Sequence, residues 1–254
     1  MSHDARGSGS PVLLLHSGVC DRRMWAPQIE RLALSHRVLA PDLRGFGETA
    51  LLPGDFSYDD DVIELLDTLD IAETVLVGSS FGGRVALEVA STYPDRVSGL
   101  MLLCPAYRDI PPTAAAERFE EQEDALLEAG DLEGAVELNV ATWLGAEADD
   151  ATRDLVREMQ RHAFDVQLAT DNWPEPPAPR TVSPDLNAIT APTVVVTGGR
   201  DMDHFQAIGR HLVDRIAAAR LFALPWSAHL PSLERPAETT ALIHQFLDGL
   251  SPES

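Results

Sequence analysis

Hydrophobic residues along this chain gather in short unbroken runs separated by longer amphipathic stretches. Val12-Leu13-Leu14-Leu15, Arg37-Val38-Leu39-Ala40, Thr74-Val75-Leu76-Val77 and Gly99-Leu100-Met101-Leu102-Leu103 lack polar alternation. Such runs mark strands covered on both faces. Between the second and third, Val62, Leu65, Leu66 and Leu69 recur at i, i+3, i+4 and i+7, which predicts an amphipathic helix. Ser57 stands where an N-cap belongs, and Asp59, Asp60 and Asp61 place negative charge at the positive end of the helix dipole. The rhythm resumes at Thr193-Val194-Val195-Val196 and Arg220-Leu221-Phe222-Ala223-Leu224, each followed by a helical segment. This alternation predicts an α/β fold built on a mostly parallel sheet with helices on both faces.

The middle of the chain breaks the pattern. From Arg108 to Pro184 no strand is evident, and stretches rich in Ala, Glu and Leu predict helices over 117–129, 132–144 and 150–169. The connector Trp173-Pro174-Glu175-Pro176-Pro177-Ala178-Pro179 then forbids a helix interior. An all-helical insertion bounded in this way predicts a cap over a site. The expected organisation is a core of residues 11–107 and 185–251, a helical cap over 108–184, and a polar N-terminal segment over 1–10.

Composition narrows the class. The 254 residues are 44% hydrophobic and 24% charged, as in ordinary globular domains, and no apolar run reaches the ~18 residues of a membrane span. The first ten residues lack the apolar core of a secretory signal. Nineteen cations against 41 acids give a net charge of −22, which repels nucleic acid and anionic membrane surfaces. Every cation is arginine, a codon-level sign of a GC-rich bacterial genome, and the absence of lysine excludes Schiff-base chemistry on that residue. Cys20 and Cys104 fit no metal or redox spacing and point to a reducing compartment, so a cytoplasmic enzyme is expected. No metal or organic cofactor is implied, because His162, His204 and His211 lack ligand spacing and no G-x-G-x-x-G follows a strand.

The chemistry is concentrated at strand ends. Gly78-Ser79-Ser80-Phe81-Gly82 follows a strand and opens a helix, so Ser80 is the expected nucleophile on a sharp turn whose glycines relieve crowding. A serine needs a base and an orienting acid. Asp201, just past the strand at Val194, is the expected acid, with Asp203 as competitor; His229, past the strand at Leu221, is the expected base. The backbone N–H groups of Gly18 and Phe81 are the expected oxyanion donors, worth about 3–4 kcal/mol each. His16 reads as a loop organiser, and Asp42 and Arg44 as a turn-fixing buried pair. Cys104, Trp143, Phe164 and Trp173 are expected at the substrate pocket, with Phe119 and Met159 in the same apolar set.

These motifs together resemble the α/β-hydrolase superfamily over essentially the whole chain. His16-Ser17-Gly18 resembles its oxyanion element, with Ser17 for the usual glycine. Asp42-Leu43-Arg44-Gly45-Phe46-Gly47 resembles its D-x-R-G-x-G turn, and His229-Leu230-Pro231 its histidine loop. The nearest likeness is to capped serine esterases, 3-oxoadipate enol-lactonase-like proteins and cofactor-free haloperoxidases. That resemblance implies hydrolysis of a small ester or lactone through an acyl-enzyme. Carbon–carbon hydrolysis of the meta-cleavage type and a slow-turnover ligand receptor are the alternatives. A serine nucleophile argues against dehalogenase and epoxide hydrolase chemistry, which uses aspartate there. The family's usual leading strand pair is missing from the sequence pattern, so a truncated sheet edge is expected.

Overall fold

Seven strands form one sheet, and the side chains of its inner strands alternate between two apolar layers. The computed structural model describes residues 1–146, 148–170 and 173–250; Ser251, the expected end of the core, lies outside them. The strands are β1 (His3–Arg6), β2 (Pro11–Leu15), β3 (Arg37–Pro41), β5 (Thr74–Ser79), β6 (Val97–Leu103), β8 (Thr193–Gly198) and β9 (Ala219–Leu224). Their order is β1-β3-β2-β5-β6-β8-β9, parallel except for β1 against β3.

The unbroken apolar runs are explained by that alternation. Val12 and Leu14 of β2 face one cluster, while Leu13 and Leu15 face the other. The first layer is closed by α1 (Ala26–Leu32) and α9 (Pro236–Leu250), through Ile29, Leu32, Ile243 and Leu247. The second is closed by α2 (Tyr58–Thr68), α3 (Phe81–Thr92) and α7 (Asp203–Arg215), through Leu66, Val85 and Ile208 among others. A short α8 (Pro231–Glu234) precedes α9.

Between β6 and β8 the chain runs through α4 (Ala114–Glu128), α5 (Leu132–Trp143) and α6 (Asp150–Leu168). Val136, Val140, Val156 and Phe164 from these helices join the same cluster as Val19, Met24 and Trp25 of the core. Burial, more than helix propensity, holds α5 and α6 in place, while α4 buries only Ala116 fully. No helix among the described residues is long and apolar enough to cross a membrane.

The structure corrects several expectations. Within the expected polar segment of residues 1–10, residues 3–6 form the antiparallel edge strand β1, whose single ladder leaves its other side to solvent and so tolerates polar residues. Gly7, at φ 78°, makes the turn into β2, where a Cβ would strike the carbonyls of Ala33 and His36. Within the expected all-helical stretch, Pro177–Pro179 forms β7, paired in parallel with β4 (Gly54–Phe56). Proline's fixed φ suits an extended edge, which periodicity does not signal. Ser57 precedes α2 but does not cap it through its hydroxyl, which donates instead to the Asp59 carboxylate. Asp42 and Arg44 do not pair: Arg44 binds Asp61 at 2.5 Å, and Asp42 accepts from Arg22 and from the Glu48 N–H.

Candidate active site

Ser80 sits between β5 and α3 with φ 49° and ψ −110°, a backbone region that non-glycine residues rarely enter. The neighbouring glycines explain how the turn fits. A Cβ on Gly78 would strike the Gly82 carbonyl, and one on Gly82 would strike the carbonyls of Leu15 and His16. The turn is anchored by the Ser80 N–H to Leu103 O at 2.9 Å and by Ala106 N–H to Ser80 O at 3.0 Å.

His229 reaches Ser80 from the loop after β9. Its Nε2 lies 2.8 Å from Ser80 Oγ and its Nδ1 2.8 Å from Asp201 Oδ2. A neutral imidazole that donates from Nδ1 to the carboxylate leaves Nε2 to accept the serine proton. Both side chains of the His229–Asp201 pair are 2–3% exposed. The imidazole is clamped between rings, with centroids 4.1 Å from Phe205 and 4.7 Å from Trp143. Asp201 lies just past the end of β8, and its other oxygen accepts the Met202 N–H at 2.8 Å. Asp203 is turned elsewhere: it begins α7 and accepts the Thr113 hydroxyl at 2.6 Å.

Gly18 and Phe81 are neighbours here, since a Cβ on Gly18 would lie 3.4 Å from that of Phe81. The Phe81 N–H belongs to the first turn of α3, where backbone donors have no intrahelical partner; the next one, of Gly82, donates to His16 O at 3.0 Å. His16 ties the Gly18 loop down. Its Nε2 accepts the Leu43 N–H at 2.9 Å, so Nδ1 carries the proton that goes to Ser17 O at 2.8 Å. Burial holds its pKa below the ordinary histidine value. Ser17 O also accepts the Cys20 N–H at 3.0 Å, a second tie on the same loop.

A cavity of about 260 Å³ opens over Ser80, with Gly18, Trp143 and Phe164 in its wall. Phe119 is in that wall too, but three residues of the expected set, Met159, Cys104 and Trp173, are not. The Cys104 thiol lies beside the His229–Asp201 pair, completely buried and 3.7 Å from Ala228 O, and burial pushes its pKa well up. Trp173 lies in the segment between α6 and β7 and is not among the residues that line the cavity. Cys104, Asp201 and His229 offer ligand atoms within 4.8 Å of one another, but the imidazole–carboxylate hydrogen bond already occupies two of them.

Sequence reasoning missed other residues. The buried Glu234 carboxylate accepts the N–H groups of Ala228 and Leu230 at 3.0–3.2 Å and so braces the loop that carries His229. Its position five residues after the histidine was the available signal. Phe205 and the polar residues Glu123, Asn139 and Gln160 of α4, α5 and α6 also line the cavity; nothing in a single sequence separates them from solvated helix faces.

The sheet order and a serine at the turn between β5 and α3 define an enzyme of the α/β-hydrolase class. The chain belongs to the alpha/beta hydrolase family, whose model matches residues 12–242. It is 29% identical to the 2-hydroxymuconate semialdehyde hydrolase of Pseudomonas sp. strain CF600, over 96% of this chain and 89% of that one. Among solved structures it is similar to a thermophilic esterase from Thermogutta terrifontis, with 26% identity, a TM-score of 0.77 and coverage of 99% and 94%. It is likewise similar to Est816, an N-acyl homoserine lactone degrading enzyme, with 25% identity, a TM-score of 0.77 and coverage of 96% of each chain.

Proposed function

We propose that this chain is a serine hydrolase that cleaves a small carboxylic ester or lactone through an acyl-enzyme. The observation that carries the reading is the continuous Ser80–His229–Asp201 hydrogen-bond chain beneath the cavity. Ser80 Oγ attacks the substrate carbonyl carbon while His229 Nε2 takes its proton. The carbonyl oxygen becomes an oxyanion facing the N–H groups of Gly18 and Phe81. As the tetrahedral intermediate collapses, His229 returns the proton to the departing alkoxide oxygen. In a lactone that oxygen stays tethered to the acyl chain. Water, deprotonated by His229, then attacks the ester carbon, and the proton passes back to Ser80 as the acid leaves. Asp201 holds the imidazole tautomer and stabilises the imidazolium. Residues 108–184 act as the cap that excludes bulk water, and a cavity below the usual ~300–1,000 Å³ of ligand pockets calls for a small substrate.

The relative named as a semialdehyde hydrolase supports carbon–carbon hydrolysis as a second reading. The cavity speaks against it, since no arginine is among the described residues that line it to bind the carboxylate of a dienoate.

The test is hydrolysis of p-nitrophenyl acetate and butyrate at pH 7–8. Ser80→Ala is expected to lower kcat by about 10⁴–10⁶-fold and Asp201→Asn by about 10⁴-fold, with Asp203→Asn within a few-fold of wild type. A folded wild type without hydrolysis would overturn the reading.

A further inference from the structure

The loop that carries the base is tied to the helical insertion as well as to the core. Trp143 ends α5, where the last carbonyls of a helix lack intrahelical donors. One of them, Trp143 O, accepts the His229 N–H at 3.3 Å. Two residues on, Gly145 packs against Glu234, so closely that a Cβ there would strike Glu234 Oε2 and lie 3.3 Å from that of Ala228. Burial pushes the Glu234 pKa up, and the N–H groups of Ala228, Leu230 and Gly145 that face the carboxylate oppose that push. Arg153 of α6 holds Gly145 from its other side, donating from Nη2 to Gly145 O at 2.7 Å. On the core side, Ser227 O accepts the Arg200 N–H at 2.9 Å, next to Asp201. Residues 227–230 are thus gripped between the loop of the acid and the end of α5.

Glu234 is the residue common to both sides of the grip. It is 6% exposed, and burying a carboxylate costs free energy unless its oxygens are hydrogen-bonded. Its two oxygens offer about four lone-pair sites, enough for N–H groups arriving from two separate parts of the chain. An amide of the same shape offers one carbonyl and turns its own hydrogens toward those donors. Ala228 and Leu230 flank His229, so the carboxylate fixes the backbone on both sides of the base.

We propose that Glu234 is a positioning residue for the base: it locks the His229 loop to residues 143–145 of the proposed cap, so that the imidazole is aligned on Ser80 only while that end of the cap is seated. This rests on the serine-hydrolase reading and adds to it a residue that acts through His229. The imidazole takes the serine proton and then hands it to the leaving oxygen, and both transfers need Nε2 within hydrogen-bond reach. A displacement of about 1 Å at such a group costs on the order of 100-fold in rate.

The experiment measures p-nitrophenyl butyrate hydrolysis by wild type, Glu234→Gln, Arg153→Gln and the double variant. Near-UV circular dichroism follows folding, and the low-field proton resonance of His229 Nδ1–H follows the alignment of the imidazole on Asp201. Glu234→Gln is expected to lower kcat about 10–100-fold with KM within about threefold, and to broaden or abolish the low-field resonance. Arg153→Gln, which frees the other side of Gly145, is expected to lower kcat about three- to tenfold at constant KM. In the double variant the two losses should not multiply, because both loosen the same contact. A folded Glu234→Gln with wild-type kcat and an unchanged resonance would overturn the inference, and so would a loss carried by KM alone. Losses that multiply would overturn the link to the cap. Should Glu234→Gln fail to fold, Arg153→Gln decides: wild-type kcat overturns the inference, and a lowered kcat at constant KM supports it. In each of these outcomes, Ser80-dependent hydrolysis by wild type leaves the serine-hydrolase reading standing. A folded wild type without hydrolysis would overturn both.

Discussion

Glu88 on α3 shows how a single buried carboxyl sets a pH response. It is 5% exposed, and burial pushes its pKa up to about 7, with Asp59 adding to the shift and Arg84, 3.5 Å away, opposing it. Between the ordinary carboxylate value and about 7, the folded chain holds a proton that the unfolded chain has released. Stability therefore falls as pH rises through that window, and the full cost is reached above it. Glu88→Gln is expected to raise the melting temperature at pH 8 by about 2–4 °C relative to wild type and to change it far less at pH 4.5. Melts at the two pH values check this, and an equal shift at both would contradict it. His16 has the opposite sign: its lowered pKa gives stability that is present above the ordinary histidine value and is lost as pH falls below it. Residues differed in how legible they were. Ser80, Asp201 and His229 could be read because each lies beside a strand end whose apolar run announces it. Glu123 and Gln160 could not, because their surroundings are set by helices that meet only after folding.

Glycine patterns matter most at the level of elements. The start of α3 packs so closely on the end of β2 that Gly82→Ala would place a Cβ against the carbonyls of Leu15 and His16. The helix would be pushed off the strand, and the Gly18 loop with it. The variant is expected to lower the melting temperature by about 4–10 °C and kcat/KM by more than about 100-fold. Gly249→Ala is its counterpart: the position lies within α9, open for at least 4 Å, and should gain about 0.5–1 kcal/mol from helix propensity without loss of activity. Thermal melts and ester hydrolysis on both variants separate the two effects. Buried strands were legible as apolar runs and helices as periodic ones. The edge strands β1 and β7 were not, because an element that buries little of its surface needs no hydrophobic signature.

Over the whole molecule, the charge of −22 dominates long-range behaviour. Repulsion among the acidic groups is screened within ~10 Å at 0.1 M salt. Raising NaCl from 0.02 to 0.5 M is expected to raise the melting temperature. It should also speed kcat/KM for an anionic succinate monoester severalfold while leaving a neutral ester within about twofold. Salt titrations with both substrates check this. The long-range order of the sheet has a further consequence, for how the chain is made. β6 hydrogen-bonds to β5 on one side and to β8 on the other, and β8 is synthesised about 90 residues after β6 ends. At ~5–20 residues per second, the ribosome leaves the outer edge of Val97–Leu103 without its partner for roughly 5–20 s. During that interval the nascent chain presents one of its most apolar strands as an open template, with α4, α5 and α6 the nearest material able to cover it.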